Sequence, residues 1–170
     1  MARVISVFLP TWPVDRLRRK TGDAAPPADA PLIIAGRDRN RRVVTAADAA
    51  AQALGLHVGM PVTKAQALVP GLVIEPADPQ ADAESLERLV LWVLQRFSPI
   101  VAVDGLEGIV IDSTGADHLH GGEAAMLDAL VGRLTFSGIT ARAALADTWG
   151  SAHALARYAA DPSLIAASGT

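Results

Sequence analysis

Val4, Ile5, Val7, Phe8 and Leu9 form an apolar, β-branched run that stops at Pro10. That is the pattern of a strand buried on both faces. Pro13 followed by Val14 to Lys20, with cations gathered at the far end, predicts a short helix. Residues 21–31 carry Gly22, Asp23, Pro26, Pro27 and Pro31 and read as a loop. Two short strands follow, over 31–35 and 42–45, joined by the charged turn 36–41. Ala46–Leu54 is dense in alanine and predicts a helix closed by Gly55. Thr63 is the predicted N-cap of a helix over 64–69. Pro70 and Gly71 break the chain, and 72–74 predicts a further strand.

From Gln80 to Phe97, apolar Leu86, Leu89, Val90, Val93, Leu94 and Phe97 recur at helical spacing. Residues 100–103 and 108–112 predict two strands about the turn pair Asp104–Gly105. Met126, Leu127, Leu130, Val131 and Leu134 predict a helix over 122–134. A strand over 139–145 and a helix over 149–160 complete the pattern, with Asp161 and Pro162 closing it. From residue 72 onward the order is β-α-β-β-α-β-α. Together with the first strand it predicts an α+β fold, an antiparallel-rich ferredoxin-like (split βαβ) sheet with helices on one face. A mostly helical insertion with a small hairpin, residues 12–71, interrupts it after the first strand.

Composition narrows the class. The chain has 170 residues, 51% hydrophobic and 19% charged, enough to bury a core without covalent staples. The absence of cysteine excludes a disulfide framework, a thiolate zinc site and a cysteine nucleophile. No apolar run approaches the ~20 residues that span a bilayer, and the first is too short for a secretory leader. The expectation is a cytoplasmic protein with no membrane partner. The net charge of -3 hides an asymmetry. Residues 1–74 hold ten Lys/Arg against five acids, whereas 75–170 hold five Arg against thirteen acids. Such halves fit two subdomains or one face meant for a polyanion; an uneven solvated surface is the plainer alternative.

The candidate chemistry is sparse. Arg37, Arg39, Arg41 and Arg42 crowd the predicted hairpin, with Arg16, Arg18, Arg19 and Lys20 in the same basic half. They suit sequence-independent contact with a nucleic-acid backbone, or simply a solvated turn that Asp38 interrupts. Asp104 reads as either a metal ligand or a turn residue, and Asp112 as a strand-end cap. His57, His118, His120 and His153 lack the partners of a metal site and read as structural. Trp12, Trp92 and Trp149 read as core.

Four stretches together resemble the Y-family (translesion) DNA polymerases, and among them the ImuB-type branch. Val43 to Pro61, with Gly55, Gly59, Met60 and Pro61, resembles the fingers segment. Ala65–Pro70 followed by Leu72–Ile74 resembles the return to the palm. Ser98–Asp104, Asp112–Gly115 and His118–Glu123 resemble the acidic palm hairpin and the helix after it. Ala143–Thr148 with Ala154–Ala159 resembles the last palm strand and helix.

The resemblance implies a palm over 1–11 and 72–165, inserted fingers over 12–71 and a tail over 166–170. A full member continues into thumb and little-finger domains of well over about a hundred residues, so the chain reads as a fragment. Active members end the first strand in two aspartates separated by one residue; Phe8 and Pro10 stand at those positions. They carry an Asp–Glu pair on the hairpin. Asp104 matches the first, but Gly105 stands where Glu is expected, and Glu107 fits only under a shifted alignment. They carry a Tyr and an Arg in the fingers helix that hold triphosphate; Ala49 and Gln52 stand there. Arg157 matches a palm-helix Lys and keeps its charge. Two Mg²⁺ ions need hard anionic oxygen on both sides, which this set lacks. The resemblance therefore implies a module without catalysis or a resident cofactor. Such a module would serve as an adaptor in damage-induced (SOS-type) mutagenic synthesis. Its implied partners are DNA, bound weakly through Arg37, Arg39, Arg41, Arg42 and Arg157, and a sliding clamp, an error-prone replicative-type polymerase and a RecA-like accessory protein, mostly through missing C-terminal regions. The alternatives are an active nucleotidyltransferase using Mg²⁺ on Asp104, Glu107 and Asp112, and an interaction domain without DNA contact.

Overall fold

A computed structural model describes residues 2–169. Along the chain run β1 (Val4–Phe8), α1 (Trp12–Thr21), β2 (Leu32–Asp38), β3 (Arg41–Ala47), α2 (Ala49–Ala53), α3 (Val62–Leu68), β4 (Val73–Pro76), α4 (Pro79–Arg96), β5 (Val101–Val103), β6 (Gly108–Asp112), α5 (Glu123–Phe136), β7 (Arg142–Ala146), α6 (Trp149–Tyr158) and β8 (Ser163–Ile165). These form two compact units, one built from the chain up to Pro10 and from Ala83 onward, the other from Thr11–Asp82. The α+β class with an antiparallel-rich sheet is the one the hydrophobic pattern predicts.

The first unit holds a five-stranded sheet in the order β5-β6-β1-β7-β8. β1 lies at its centre, antiparallel to both neighbours, with Ser6 opposite Val110 on one side and Ala144 on the other. Its central place explains the unbroken apolar run, because Ile5, Ser6 and Val7 are all buried. α5 buries Met126, Leu127, Leu130, Val131 and Leu134, the stripe its spacing predicts. α6 buries only Ala152 and Ala156, small side chains that let the helix lie close on β1 and β7.

Two features here depart from the linear reading. Residues 163–165 form a strand, β8, parallel to β7, where the sequence pattern predicts no element after the last helix. The segment after it is tied down as well. Arg3 donates to the Ala166 carbonyl at 2.7 Å, to Asp147 at 2.7 Å and to Glu123 at 2.8 and 3.1 Å. Asp147 also accepts from the Ser168 hydroxyl and the Gly169 amide.

The Gly169 amide, then the Arg3 guanidinium, hold the Asp147 carboxyl below the usual carboxylate range. The Thr114 hydroxyl and amide do the same for Asp112. A carboxyl whose folded pKa is depressed adds stability above its unfolded value of about 3.9, and that stability is lost as pH falls through the folded value. Urea melts should therefore show stability falling below about pH 4. Asp147→Asn should be less stable than wild type at pH 6 and should lose less on going to pH 3. An equal loss in both proteins would refute this role.

The second unit is a three-stranded sheet in the order β3-β2-β4, flanked by short helices. The sequence places 72–74 in the sheet of the first strand. Instead β4 pairs in parallel with β2, Val73 beside Leu32 and Ile74 beside Ile33. The inserted unit thus runs through Asp82 rather than ending at residue 71, and it is built on a sheet rather than mostly on helices. β4 buries its apolar side chains against clusters centred on Ile33, Val44 and Leu56 and on Val14, Leu32 and Ile34. Those partners are distant in sequence, so local pattern could not choose among sheets. β3 extends to Ala47, because Ala46 and Ala47 pair with Ile34 and Ile33, and helix starts only after Asp48. α3 starts at Val62 behind Pro61, so Thr63 lies inside it and is not its cap.

Candidate functional site

The end of β1 meets the β5–β6 turn and one stripe of α6. Gly105 turns the chain at φ +71, which glycine adopts without strain. The Leu9 amide donates to the Glu107 carbonyl at 2.8 Å and locks the end of β1 against the turn. Gly108 is packed to its limit: a Cβ there would lie 2.7 Å from the Asp104 carbonyl oxygen and 3.2 Å from an Arg157 nitrogen.

α6 brings Trp149, His153 and Arg157, four residues apart, onto one face. Trp149 Nε1 and His153 Nδ1 each lie 3.1 Å from the same oxygen of Asp104 and donate to it. The two rings are tilted against each other at 4.8 Å. The Arg157 guanidinium lies over the Phe8 ring, 4.8 Å from its centre, a cation–π stack. Trp149 is therefore not a core residue, as its helical context suggests; it is 49% exposed and pinned by its N–H. Trp12 is buried and Trp92 partly so. The sequence reading also missed the link from His153 to Asp104. The i, i+4 spacing of Trp149, His153 and Arg157 was its one available signal.

These residues do not fit a pair of hard divalent cations. Phe8 and Pro10 offer no oxygen from their side chains, Arg157 already places a cation over Phe8, and Asp104 is engaged by two N–H donors. Glu107 is exposed. Asp112 pairs with Val4, whereas Gly108 pairs with Phe8, so four strand residues, about 13 Å, separate the two ends. Asp112 caps its own strand end instead, accepting from the Thr114 amide. Among the described residues, no three His, Cys, Asp or Glu gather where they could hold a metal ion. His118 and His120 lie in a short 3₁₀ turn, where His120 stacks on Phe97 and contacts its carbonyl.

In the other unit, Ala49 and Gln52 lie on α2, and both are exposed. The Gln52 amide folds back to donate to the Ala47 carbonyl at 2.8 Å and offers no cation to a phosphate. The turn between β2 and β3 is Arg39–Asn40, with Arg39 in the left-handed region at φ 58. Arg37, Arg39, Arg41 and Arg42 are all exposed, and among the described residues the ion pairs involve other cations.

The sequence profile of the impB/mucB/samB family (IMS) matches residues 24–157. "Protein ImuB" of Caulobacter vibrioides is 55% identical over 108 residues, 64% of this chain and 23% of that protein. A "DNA polymerase IV" of Dehalococcoides mccartyi is 34% identical over 121 residues, 71% of this chain and 31% of that protein. The chain thus spans less than a third of the length of these curated relatives. Among solved structures, DinB from Sulfolobus solfataricus superposes with a TM-score of 0.71 at 18% identity, covering 98% of this chain and 48% of that one. The post-insertion binary complex of Dbh DNA polymerase gives 0.74 at 18% identity, covering 97% and 48%. At that identity the likeness establishes the fold. No helix of the described residues is long and apolar enough to cross a membrane.

Proposed function

The chain belongs to the impB/mucB/samB family, and on that premise we propose that it is a polymerase-shaped module without nucleotidyl transfer, a scaffold for mutagenic synthesis across damaged DNA. The observation that carries this reading is the occupation of the end of β1. Arg157 stacks on Phe8, and Asp104 is spent on Trp149 and His153. Transfer through two metals requires converging carboxylates that hold the ions about 3.5–4 Å apart. A ring, a guanidinium and a single engaged carboxylate supply neither the charge nor the open coordination. The loss extends to the fingers, where Ala49 and Gln52 replace a phenol and a guanidinium that would hold triphosphate.

The four exposed hairpin arginines support weak, sequence-independent contact with DNA phosphates. The other proteins of such an assembly, a sliding clamp, an error-prone polymerase and a RecA-like protein, would be engaged mostly by regions that the longer relatives possess beyond the stretch matched here.

Calorimetric titration with Mg²⁺ and a deoxynucleoside triphosphate, paired with primer extension, tests the central point. Neither coupled binding nor extension is expected. Micromolar binding of the nucleotide that depends on Mg²⁺ would overturn the proposal and favour a rearranged, active site. Affinity for primer–template DNA should fall steeply with salt and ignore sequence; absence of any such binding would remove DNA from the reading.

A further inference from the structure

The Val44 amide donates to the Met60 carbonyl, and the Val44 carbonyl accepts from the Gly59 amide, both at 2.8 Å. Both backbone groups of Val44 thus point away from β2, so the Ala35–Val44 rung carries no hydrogen bonds. Bonded and unbonded rungs alternate along an antiparallel pair. Gly36–Val43 is therefore a bonded rung, and Arg37–Arg42 is an unbonded one. The same alternation turns the backbone groups of Ala35 and Arg37 toward the side on which β4 lies. The Ala35 carbonyl finds a partner there, accepting from the Ala77 amide at 2.8 Å. Arg37 lies beyond the β4 ladder, which ends at the Ala35–Pro76 rung, and the chain turns into α4 at Pro79. Among the described residues, the Arg37 N–H and C=O have no backbone partner.

The side chains at this rung carry like charge. Arg37 and Arg42 stand directly opposite each other, on one face and at the closer of the two rung spacings. Like charges so placed repel and destabilise the hairpin. The next rung is complementary, Asp38 facing Arg41, but by strand alternation it lies on the opposite face. Asp78, which follows Ala77, accepts from the Ala81 amide in the first turn of α4. Among the described residues, no ion pair neutralises Arg37 or Arg42. Both line one cleft of about 430 Å³, walled by Ala35, Pro76, Ala77 and Pro79.

Three features of the cleft define what it takes. A backbone donor and acceptor stand free at a strand edge, which suits an extended polypeptide. Two planar cations share one face, which suits a carboxylate. The walls are alanine and proline, with no ring on which a base would stack. We infer that the cleft is a docking site for an extended acidic peptide of a protein partner. The peptide takes the line that β4 leaves after Ala77. One of its residues exchanges hydrogen bonds with the Arg37 N–H and C=O. The side chain of that residue, an aspartate or glutamate, lies on the guanidinium face and relieves the Arg37–Arg42 repulsion. Arg39 in the turn and Arg41 on the other face stay free for DNA phosphates. The inference goes beyond the proposed function, because it gives the Thr11–Asp82 unit a protein contact of its own.

The test is fluorescence anisotropy at low salt with a labelled, C-terminally amidated peptide of about eight residues that alternates glutamate with valine. Amidation removes the terminal carboxylate, so only side chains supply charge. Wild type should bind this peptide, and the chain with both Arg37→Ala and Arg42→Ala should bind it about tenfold or more weakly. A glutamine–valine peptide should lose about as much. Methylating the glutamate nitrogens, which face β2, should weaken binding by about tenfold, whereas methylating the valine nitrogens, which face away, should not. The double variant should melt at the same or a higher temperature, because the repulsion is gone. Lys64→Ala, a cation elsewhere on the same unit, should bind the peptide as wild type does. A labelled thymidine oligonucleotide, measured in parallel, should keep most of its affinity for the double variant.

Peptide affinity unchanged in the double variant overturns the inference, and so does equal affinity for the two methylated peptides. Absence of any peptide binding by wild type also overturns it. The proposed function is read separately, from the oligonucleotide and from the titration with nucleotide and Mg²⁺, and survives that result. Oligonucleotide affinity lost in the double variant, with peptide affinity intact, would assign the two arginines to nucleic acid and overturn the inference as well.

Discussion

Replacing Asp48 by alanine is expected to cost the Thr11–Asp82 unit about 3–5 kcal/mol, enough to leave it largely unfolded at moderate temperature. Asp48 is buried at 3% exposure and serves three structures at once. Oδ1 accepts from the Ala51 amide at 2.8 Å and so caps α2. The same oxygen accepts from the Leu32 amide at 3.2 Å, at the start of β2. Oδ2 accepts from Arg18 at 2.8 Å, in an ion pair that is itself largely shielded from water. Alanine removes the cap, worth about 1 kcal/mol, and leaves a shielded guanidinium with only the Pro27 and Ala30 carbonyls at 3.5 and 3.4 Å. The second term is the larger.

Asp48→Asn separates the two. It keeps an acceptor for both amides and loses the charge, so it should fall between wild type and Asp48→Ala. Urea denaturation followed by circular dichroism measures all three. A double-mutant cycle with Arg18→Met should return a coupling of about 1–3 kcal/mol. A loss below about 0.5 kcal/mol in Asp48→Ala would mean that solvent or a shifted Arg18 replaces the carboxylate freely.

Trp12→Ala is expected to cost a comparable ~3–5 kcal/mol. Trp12 is fully buried, and its Nε1 donates to the Asp82 carbonyl at 2.9 Å. The Asp82 carboxylate in turn accepts from Arg16. One side chain thus fills core volume at the first turn of α1 and tethers the residue where the unit ends. Trp12→Phe retains most of the volume and loses the N–H donor, so it should cost nearer ~1 kcal/mol. Thermal melts of the two variants decide the matter. If phenylalanine costs as much as alanine, the hydrogen bond and not the packing holds this corner.

Much of this architecture is legible in the chain. The β-branched run ending at Pro10, the heptad-like stripe of α5 and the Asp104–Gly105 turn predict their elements because each depends on neighbours a few residues away. The misreadings share a different cause. β4 chose β2 over the sheet of β1, β3 took Ala46 and Ala47 from a predicted helix, and β8 formed after the last helix where no strand was predicted. In each, a strand was settled by which distant edge offered hydrogen bonds and an apolar face, and tertiary pairing overrode alanine's helical preference.

The candidate site divides in the same way. Residue types alone determine that Phe8 and Pro10 present no anionic oxygen and that Ala49 and Gln52 bring no cation, since no folding supplies a charge a side chain lacks. They also determine that cations crowd residues 37–42. Only the tertiary structure decided what stands at the end of β1: Arg157 laid over Phe8, and Asp104 shared between Trp149 and His153. It alone set Arg37 against Arg42 across the hairpin. Chemical identity is a property of one residue, whereas direction and neighbourhood arise when strand register and helix face bring residues far apart in sequence within a few ångströms.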